Sequence, residues 1–164
     1  MDYKSKIILI AGPTASGKSK IAVNLAKKIN GEIVNADSMQ VYKQLKILTA
    51  RPSEKDQKTT KHHLFGIIDV RKRFSTGQWL KKCIKIINQI RKKNKTPIIV
   101  GGTGLYFKAL VDGLVKIPKF KPSEKNKILK LHKKLGQNQF YKKLIKLDPI
   151  SKKFVNSNLS LIHI

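Results

Sequence analysis

Apolar positions fall into two kinds of run along the chain. Short continuous runs occur as IILIA at 7–11, IVNA at 33–36 and TPIIV at 96–100. Each is closed by turn residues or an acid: Gly12-Pro13, Asp37 and Gly101-Gly102. Runs of that length, apolar on both faces, predict strands over 6–11, 32–36 and 96–100 of the kind buried in a parallel sheet. A further apolar run, LFGIIDV, lies within 63–70. Between the strands the spacing changes to that of helices. Ile21, Leu25 and Ile29 form a stripe over 17–30 that Gly31 ends. Over 75–93, Trp79, Cys83, Ile86, Ile87 and Ile90 face inward from an otherwise basic surface, and Leu105 opens another helix to 110. Strands alternating with helices predict an α/β protein with helices on both faces of a parallel sheet.

The pattern shifts near Ile117-Pro118. Between 116 and 153 there are thirteen lysines and two acids, Glu124 and Asp148. Pro122-Ser123-Glu124 reads as a helix start, with Ile128, Leu131 and Leu135 as the stripe and Gly136 as the stop. A second helix carries Phe140, Leu144 and Leu147 and ends before Pro149. The expected organisation is an α/β core over 1–115 and a basic helical insertion over 116–164, the latter incomplete.

Charge sharpens this picture. The 164 residues carry 36 Lys and Arg against 9 Asp and Glu, a formal charge of +27. Such a balance favours a polyanionic partner, because each neutralised phosphate releases counterions. Only four of the cations are arginine, so part of the excess is lysine bias at a solvated surface, but that bias does not explain the shortage of acids. Cys83 is the single cysteine, which leaves no disulfide framework and no cysteine-rich metal site. His62, His63 and His132 have no metal-ligand spacing and read as structural or surface residues. No apolar stretch approaches the roughly eighteen residues of a membrane span, and the start lacks the features of a signal peptide. A cytoplasmic, monomeric protein without a membrane partner is expected.

The most specific chemistry lies in Gly12-Pro13-Thr14-Ala15-Ser16-Gly17-Lys18-Ser19, a full phosphate-loop (P-loop) pattern between a strand and a helix. The glycines let backbone N–H groups turn inward around an anion, and the helix start adds its dipole. Lys18 supplies a charge to the phosphates, and the Ser19 hydroxyl is placed for Mg²⁺. The fold class is therefore a P-loop NTPase-like parallel sheet. The loop does not specify the reaction. A small-metabolite kinase would need a metal-organising acid, for which Asp37 and Asp69 are candidates. It would also need an arginine-bearing lid, and beyond Arg51 only Arg71, Arg73 and Arg91 remain.

Three further segments carry a family resemblance: Asp37-Ser38-Met39-Gln40-Val41-Tyr42, Thr49-Ala50-Arg51-Pro52 and Gly101-Gly102-Thr103-Gly104-Leu105-Tyr106. Together with the phosphate loop they resemble the tRNA dimethylallyltransferases, densely over about the first 115 residues. The resemblance implies that residues 12–19 grip the diphosphate of dimethylallyl diphosphate with Mg²⁺. The prenyl group would pass to N6 of the adenine 3′ of the anticodon in tRNA, with diphosphate as leaving group. Lys18 and the loop would stabilise the departing charge. Asp37 would take the N6 proton as catalytic base; a metal ligand or helix cap is the other reading of that residue. Thr103 would assist at the reaction centre, although alone it reads as a helix cap. Asp37, Ser38, Met39, Gln40 and Thr103 would contact tRNA near the target base, and Lys125 would contact its backbone.

The family pattern fades in the last residues. After Asn158 the family runs into an arginine-bearing helix, where this chain has Leu159-Ser160-Leu161-Ile162-His163-Ile164. The resemblance implies a shortened member, with little or no transfer expected from these 164 residues alone. Three rivals stay open at the level of sequence. They are the small-metabolite kinase, a prenyltransferase acting on free adenine nucleotide, and a tRNA-binding module without catalysis.

Overall fold

The protein is described from a computed structural model covering residues 6–52, 58–114 and 121–156. The boundary expected at Ile117-Pro118 and the terminal residues 159–164 lie outside the described residues. The chain divides into two compact units, Met1–Val115 and Lys116–Ile164.

The first unit is built on four parallel strands in the order β1-β4-β2-β3. They are β1 (Ile8–Ala11), β2 (Gly31–Asn35), β3 (His62–His63) and β4 (Thr96–Gly101). β2 and β4 are buried along their whole length, as continuous apolar runs require. β1 differs from the expectation of a buried strand. It lies at the sheet edge, and Leu9 is 41% exposed. β3 also falls short of its apolar run, because the chain turns at once through positive φ at Leu64 (64°) and Gly66 (57°), which a strand cannot continue.

Helices cover both faces. On one side α1 (Lys18–Ile29) packs Ala22, Val23 and Ala26 against Ile33, Ile98 and Val100. The stripe expected at Ile21, Leu25 and Ile29 is thus rotated: Ile21 is exposed, and Leu25 and Ile29 are half-buried. The two alanines let the helix backbone approach the sheet, which a stripe of large residues would prevent. On the other side α2 (Thr76–Lys92) buries Trp79, Cys83, Ile87 and Ile90, and α3 (Gly104–Val111) adds Tyr106 and Ala109. Ile86 is only half-buried. Ser75 and Gln78 close a reciprocal capping box at the start of α2. Burial pushes the Cys83 thiol up to about 12, leaving it an inert core residue.

The second unit contains α4 (Pro122–Leu147) and a short 3₁₀ turn, Pro149–Lys153. Pro122 occupies the first turn, and the Glu124 carboxylate accepts the Lys121 N–H at 2.9 Å. At Gly136 the backbone leaves the helical region (φ 70°), splitting α4 where the sequence places a stop. Leu131, Leu135, Phe140 and Leu144 are half-buried, while Ile128 is 54% exposed and no residue of α4 is fully buried.

One buried ionic group underlies the sheet. Glu32, 1% exposed, meets His63 Nε2 at 2.6 Å and Lys95 Nζ at 3.0 Å. Burial alone would raise its pKa, but the hydrogen bonds from His63 and Lys95 outweigh that and hold it below the ordinary 4.5. A carboxylate held lower in the folded state stabilises the fold above its unfolded pKa. That contribution fades as pH falls below 4.5. Urea denaturation should therefore show stability declining with acid below this pH, with a shallower decline in Glu32→Gln.

Candidate active site

Three loops leave the same edge of the sheet, at the C-terminal ends of β1, β4 and β2. This is where open parallel sheets place their ligands. The paired register Ala11–Gly101 and Asn35–Val100 sets all three loops at one level. Close approach fixes that level: a Cβ on Gly101 would stand 2.1 Å from the Ala36 carbonyl oxygen, so only glycine fits.

The loop after β1 is Gly12–Ser19 in sequence. Ala15 (φ 63°) and Gly17 (φ 78°) adopt the left-handed conformation that curls backbone N–H groups around an anion. Gly17 then starts α1, with no side chain capping its first turn. Lys18 folds back across the loop and donates from Nζ to the Pro13 carbonyl at 2.8 Å.

The loop after β2 carries Asp37. Its Oδ1 accepts the N–H groups of Met39 (2.9 Å) and Gln40 (3.3 Å), fixing a tight turn. Oδ2 takes no hydrogen bond among the described residues, so the carboxylate has one oxygen committed to the turn and one unengaged. Asn35, fully buried, holds Asp37 from behind: its Oδ1 accepts the Asp37 N–H at 2.9 Å, and its Nδ2 donates to the Asp37 and Leu64 carbonyls. Trp79 Nε1 donates to the Asn35 carbonyl at 2.8 Å and stacks on Tyr106 at 4.3 Å. Burial first, then Tyr42 and Asp37, pushes the Tyr106 phenol up to about 12, so it stays neutral.

The loop after β4 carries Thr103 at the start of α3. Its side chain makes no cap to that helix. Instead its hydroxyl accepts the Ser38 N–H at 2.9 Å and donates to Ser38 Oγ at 3.2 Å, tying two loops together. Gln40 Nε2 is engaged with the Thr49 carbonyl at 2.9 Å, which draws residues 45–50 to the same place.

The result is an open cavity of about 580 Å³. Thr14, Lys18 and Ser19 lie on its phosphate-loop side, and Asp37, Met39 and Gln40 line it as well. Among the residues expected to act, the structure thus brings residues 12–19 together with Asp37–Gln40 and Thr103. Lys125 stands exposed on the first turn of α4, in the other unit. Asp69, the alternative acid, is not among the cavity's lining residues. It pairs with Arg71 (2.9 Å) and accepts from Gln44, and the Arg71 guanidinium holds its carboxyl well below the usual range. His63 belongs to the Glu32 group, and His132 contacts Gln137 and Phe140. His62 borders a small recess beside Lys18 and Ser19. Sequence reasoning missed Asn35 as the support of Asp37; its one signal was a polar residue inside an apolar strand.

For a metal, the cavity offers the Ser19 hydroxyl and the Asp37 carboxylate. No group of three or more His, Cys, Asp or Glu stands together among the described residues. That donor set fits a hard divalent cation carried largely by phosphate oxygens and water.

Fold and site together define an α/β protein of the phosphate-loop class whose loop at 12–19 and Asp37 carboxylate line one cavity. The family model described as IPP transferase matches residues 40–160. A Pelagibacter ubique protein named tRNA dimethylallyltransferase is 64% identical over 91% of this chain and 48% of its own length. One of the same name from Rhizobium rhizogenes is 45% identical over 92% of this chain and 50% of its own. Among solved structures, a eukaryotic dimethylallyltransferase acting on tRNA is 31% identical, with a TM-score of 0.80 over 93% of this chain and 38% of that one. The Bacillus halodurans tRNA isopentenylpyrophosphate transferase is 32% identical, with a TM-score of 0.67 over 93% of this chain and 51% of that one. The chain belongs to the IPP transferase family, and it spans about half the length of these curated relatives.

Removing the acceptor in Thr103→Val leaves the Ser38 N–H unpaired, at a cost of about 1–2 kcal/mol locally. Amide exchange at Ser38 should accelerate by about tenfold or more while exchange along β2 is unchanged.

Proposed function

We propose that this chain carries the donor-binding and proton-accepting part of a tRNA dimethylallyltransferase. One observation supports the reading above others. In a member of this family, a phosphate loop and a carboxylate with one unengaged oxygen line the same cavity. The diphosphate of dimethylallyl diphosphate sits in residues 12–19, held by backbone N–H groups and by Lys18. Ser19, with Asp37 nearby, would hold Mg²⁺, which supplies further neutralisation of the diphosphate charge.

In the reaction the allylic C1–O bond breaks and the diphosphate leaves with the electron pair. The adenine N6 forms the new bond to C1. Its lone pair is delocalised into the ring, so the amine must lose a proton as it reacts, and Asp37 Oδ2 accepts it. Asn35 and the turn N–H groups keep that oxygen aimed at the cavity. Thr103 and Ser38, bonded to each other next to Asp37, would meet the target base as it enters from an unstacked tRNA loop. Gln40, tied to Thr49, lines the donor cavity. Lys125 and the lysine-rich second unit bind tRNA phosphates, in a protein that works in the cytoplasm as a monomer. Among the described residues no helix is long and apolar enough to cross a membrane.

A metabolite kinase could use Asp37 as its metal-organising acid, so the acids do not decide against it; membership of the IPP transferase family does. Equilibrium titration with Mg²⁺ should show tighter binding of dimethylallyl diphosphate than of ATP, and Lys18→Ala should weaken it by about tenfold or more. Preference for ATP, with its hydrolysis, contradicts the reading. In assays with radiolabelled donor and unmodified tRNA, Asp37→Asn, which keeps an Oδ1 acceptor for the Met39 and Gln40 N–H groups, should lose whatever label the unaltered chain transfers, by a factor of about 10² or more, with a far smaller change in donor affinity. Binding of tRNA should fall steeply as salt rises.

A further inference from the structure

The phosphate loop accounts for one side of the cavity. Its remaining lining mixes the polar Asp37, Gln40 and Thr49 with the apolar Met39, Leu48 and Ala50, and an anion has no use for the apolar part. Leu48, 81% exposed, and Met39, 49% exposed, line the cavity beside Thr49 and Ala50. An exposed leucine on a surface turn is ordinary; this one is held in place. The Thr49 N–H and hydroxyl both reach the Leu45 carbonyl, at 3.2 and 2.6 Å. The Ala50 N–H bonds the Ile47 carbonyl at 3.0 Å, and Gln40 Nε2 ties the Thr49 carbonyl to the Asp37 turn. Met39 is fixed the same way, its N–H bound to Asp37 Oδ1. Both residues line the cavity on backbone whose ordering cost is already met in folding, which favours binding through them.

We propose that Met39 and Leu48 form the wall that receives the hydrocarbon chain of the donor, and so select a prenyl diphosphate over other diphosphates. The inference rests on the donor assigned above. It gives Met39 a role different from a tRNA contact: its backbone positions Asp37 and its thioether packs on the prenyl methyl groups. A thioether and a leucine suit that task, since both offer contact area without a hydrogen-bonding group. A nucleotide sugar or base placed there would leave its polar groups unpaired against the same wall. With the diphosphate on residues 12–19 and the tail across the cavity, the reacting carbon lies between them, on the side of Asp37.

The test is calorimetric titration of the chain with dimethylallyl diphosphate and, separately, with inorganic diphosphate, both with Mg²⁺. The unaltered chain should prefer the prenylated ligand. Leu48→Ala should weaken the prenylated ligand by about fivefold, as loss of a few apolar contacts predicts, and change inorganic diphosphate by less than about twofold. Leu48→Asp should abolish the preference. Because Leu48 is largely exposed, neither substitution threatens the core. Equal binding of the two ligands, or an equal loss for both in Leu48→Ala, overturns the apolar wall while leaving the phosphate loop's assignment standing. Failure of the unaltered chain to bind either ligand overturns both.

Discussion

The site depends on the contact between β2 and β4 at their C-terminal ends. Asn35 pairs with Val100, and the Ala36 N–H continues the ladder to the Val100 carbonyl at 2.7 Å. Ala36 then lies against Gly101 at a separation that excludes any side chain. From that point the two chains leave the sheet abreast, so Ser38 and Thr103 meet at hydrogen-bond distance although 65 residues separate them. β1 joins the same level through the Gly12 N–H to the Gly101 carbonyl, at 3.3 Å. A single backbone register thus sets the spacing between the phosphate loop and the carboxylate.

Within that frame the Asp37 carboxylate is divided between two tasks. One oxygen organises the turn that carries Met39 and Gln40, and the other takes no hydrogen bond among the described residues. Asn35 spends its whole amide on the backbone around Asp37, and Trp79 holds Asn35 in turn. Preorganisation of this kind is what a proton acceptor for a weak nucleophile requires, since the acceptor must be in place as the new bond forms. The ionic group at Glu32 secures β2 from within the sheet, with His63 and Lys95 as its partners.

Much of this was legible in the sequence, for physical reasons. Short continuous apolar runs favour strands of a parallel sheet, and β1, β2 and β4 are such strands, the last two buried along their whole length. The phosphate loop declares itself because glycine and lysine are needed at fixed places around an anion. Gly136 marks the break in α4 because no other residue takes its backbone angles as readily. The misses have equally definite causes. The face of α1 was misplaced because two small alanines, invisible to a search for large apolar residues, decide how closely a helix approaches a sheet. The edge position of β1 depends on strand order, which a run of isoleucines does not encode. Asn35 and Glu32 looked like interruptions of an apolar strand, whereas each is buried with its hydrogen bonds satisfied by residues far away in the chain.

The central claim is geometric: the reacting carbon of a prenyl diphosphate lies beside the unengaged oxygen of Asp37 when its diphosphate occupies the phosphate loop. A crystal structure of the chain with Mg²⁺ and an unreactive thio-analogue of dimethylallyl diphosphate measures this directly. The account predicts diphosphate oxygens on the backbone N–H groups of residues 12–19 and on Lys18, with C1 turned toward Asp37 Oδ2. A diphosphate bound elsewhere, or a C1 directed away from Asp37, would contradict it.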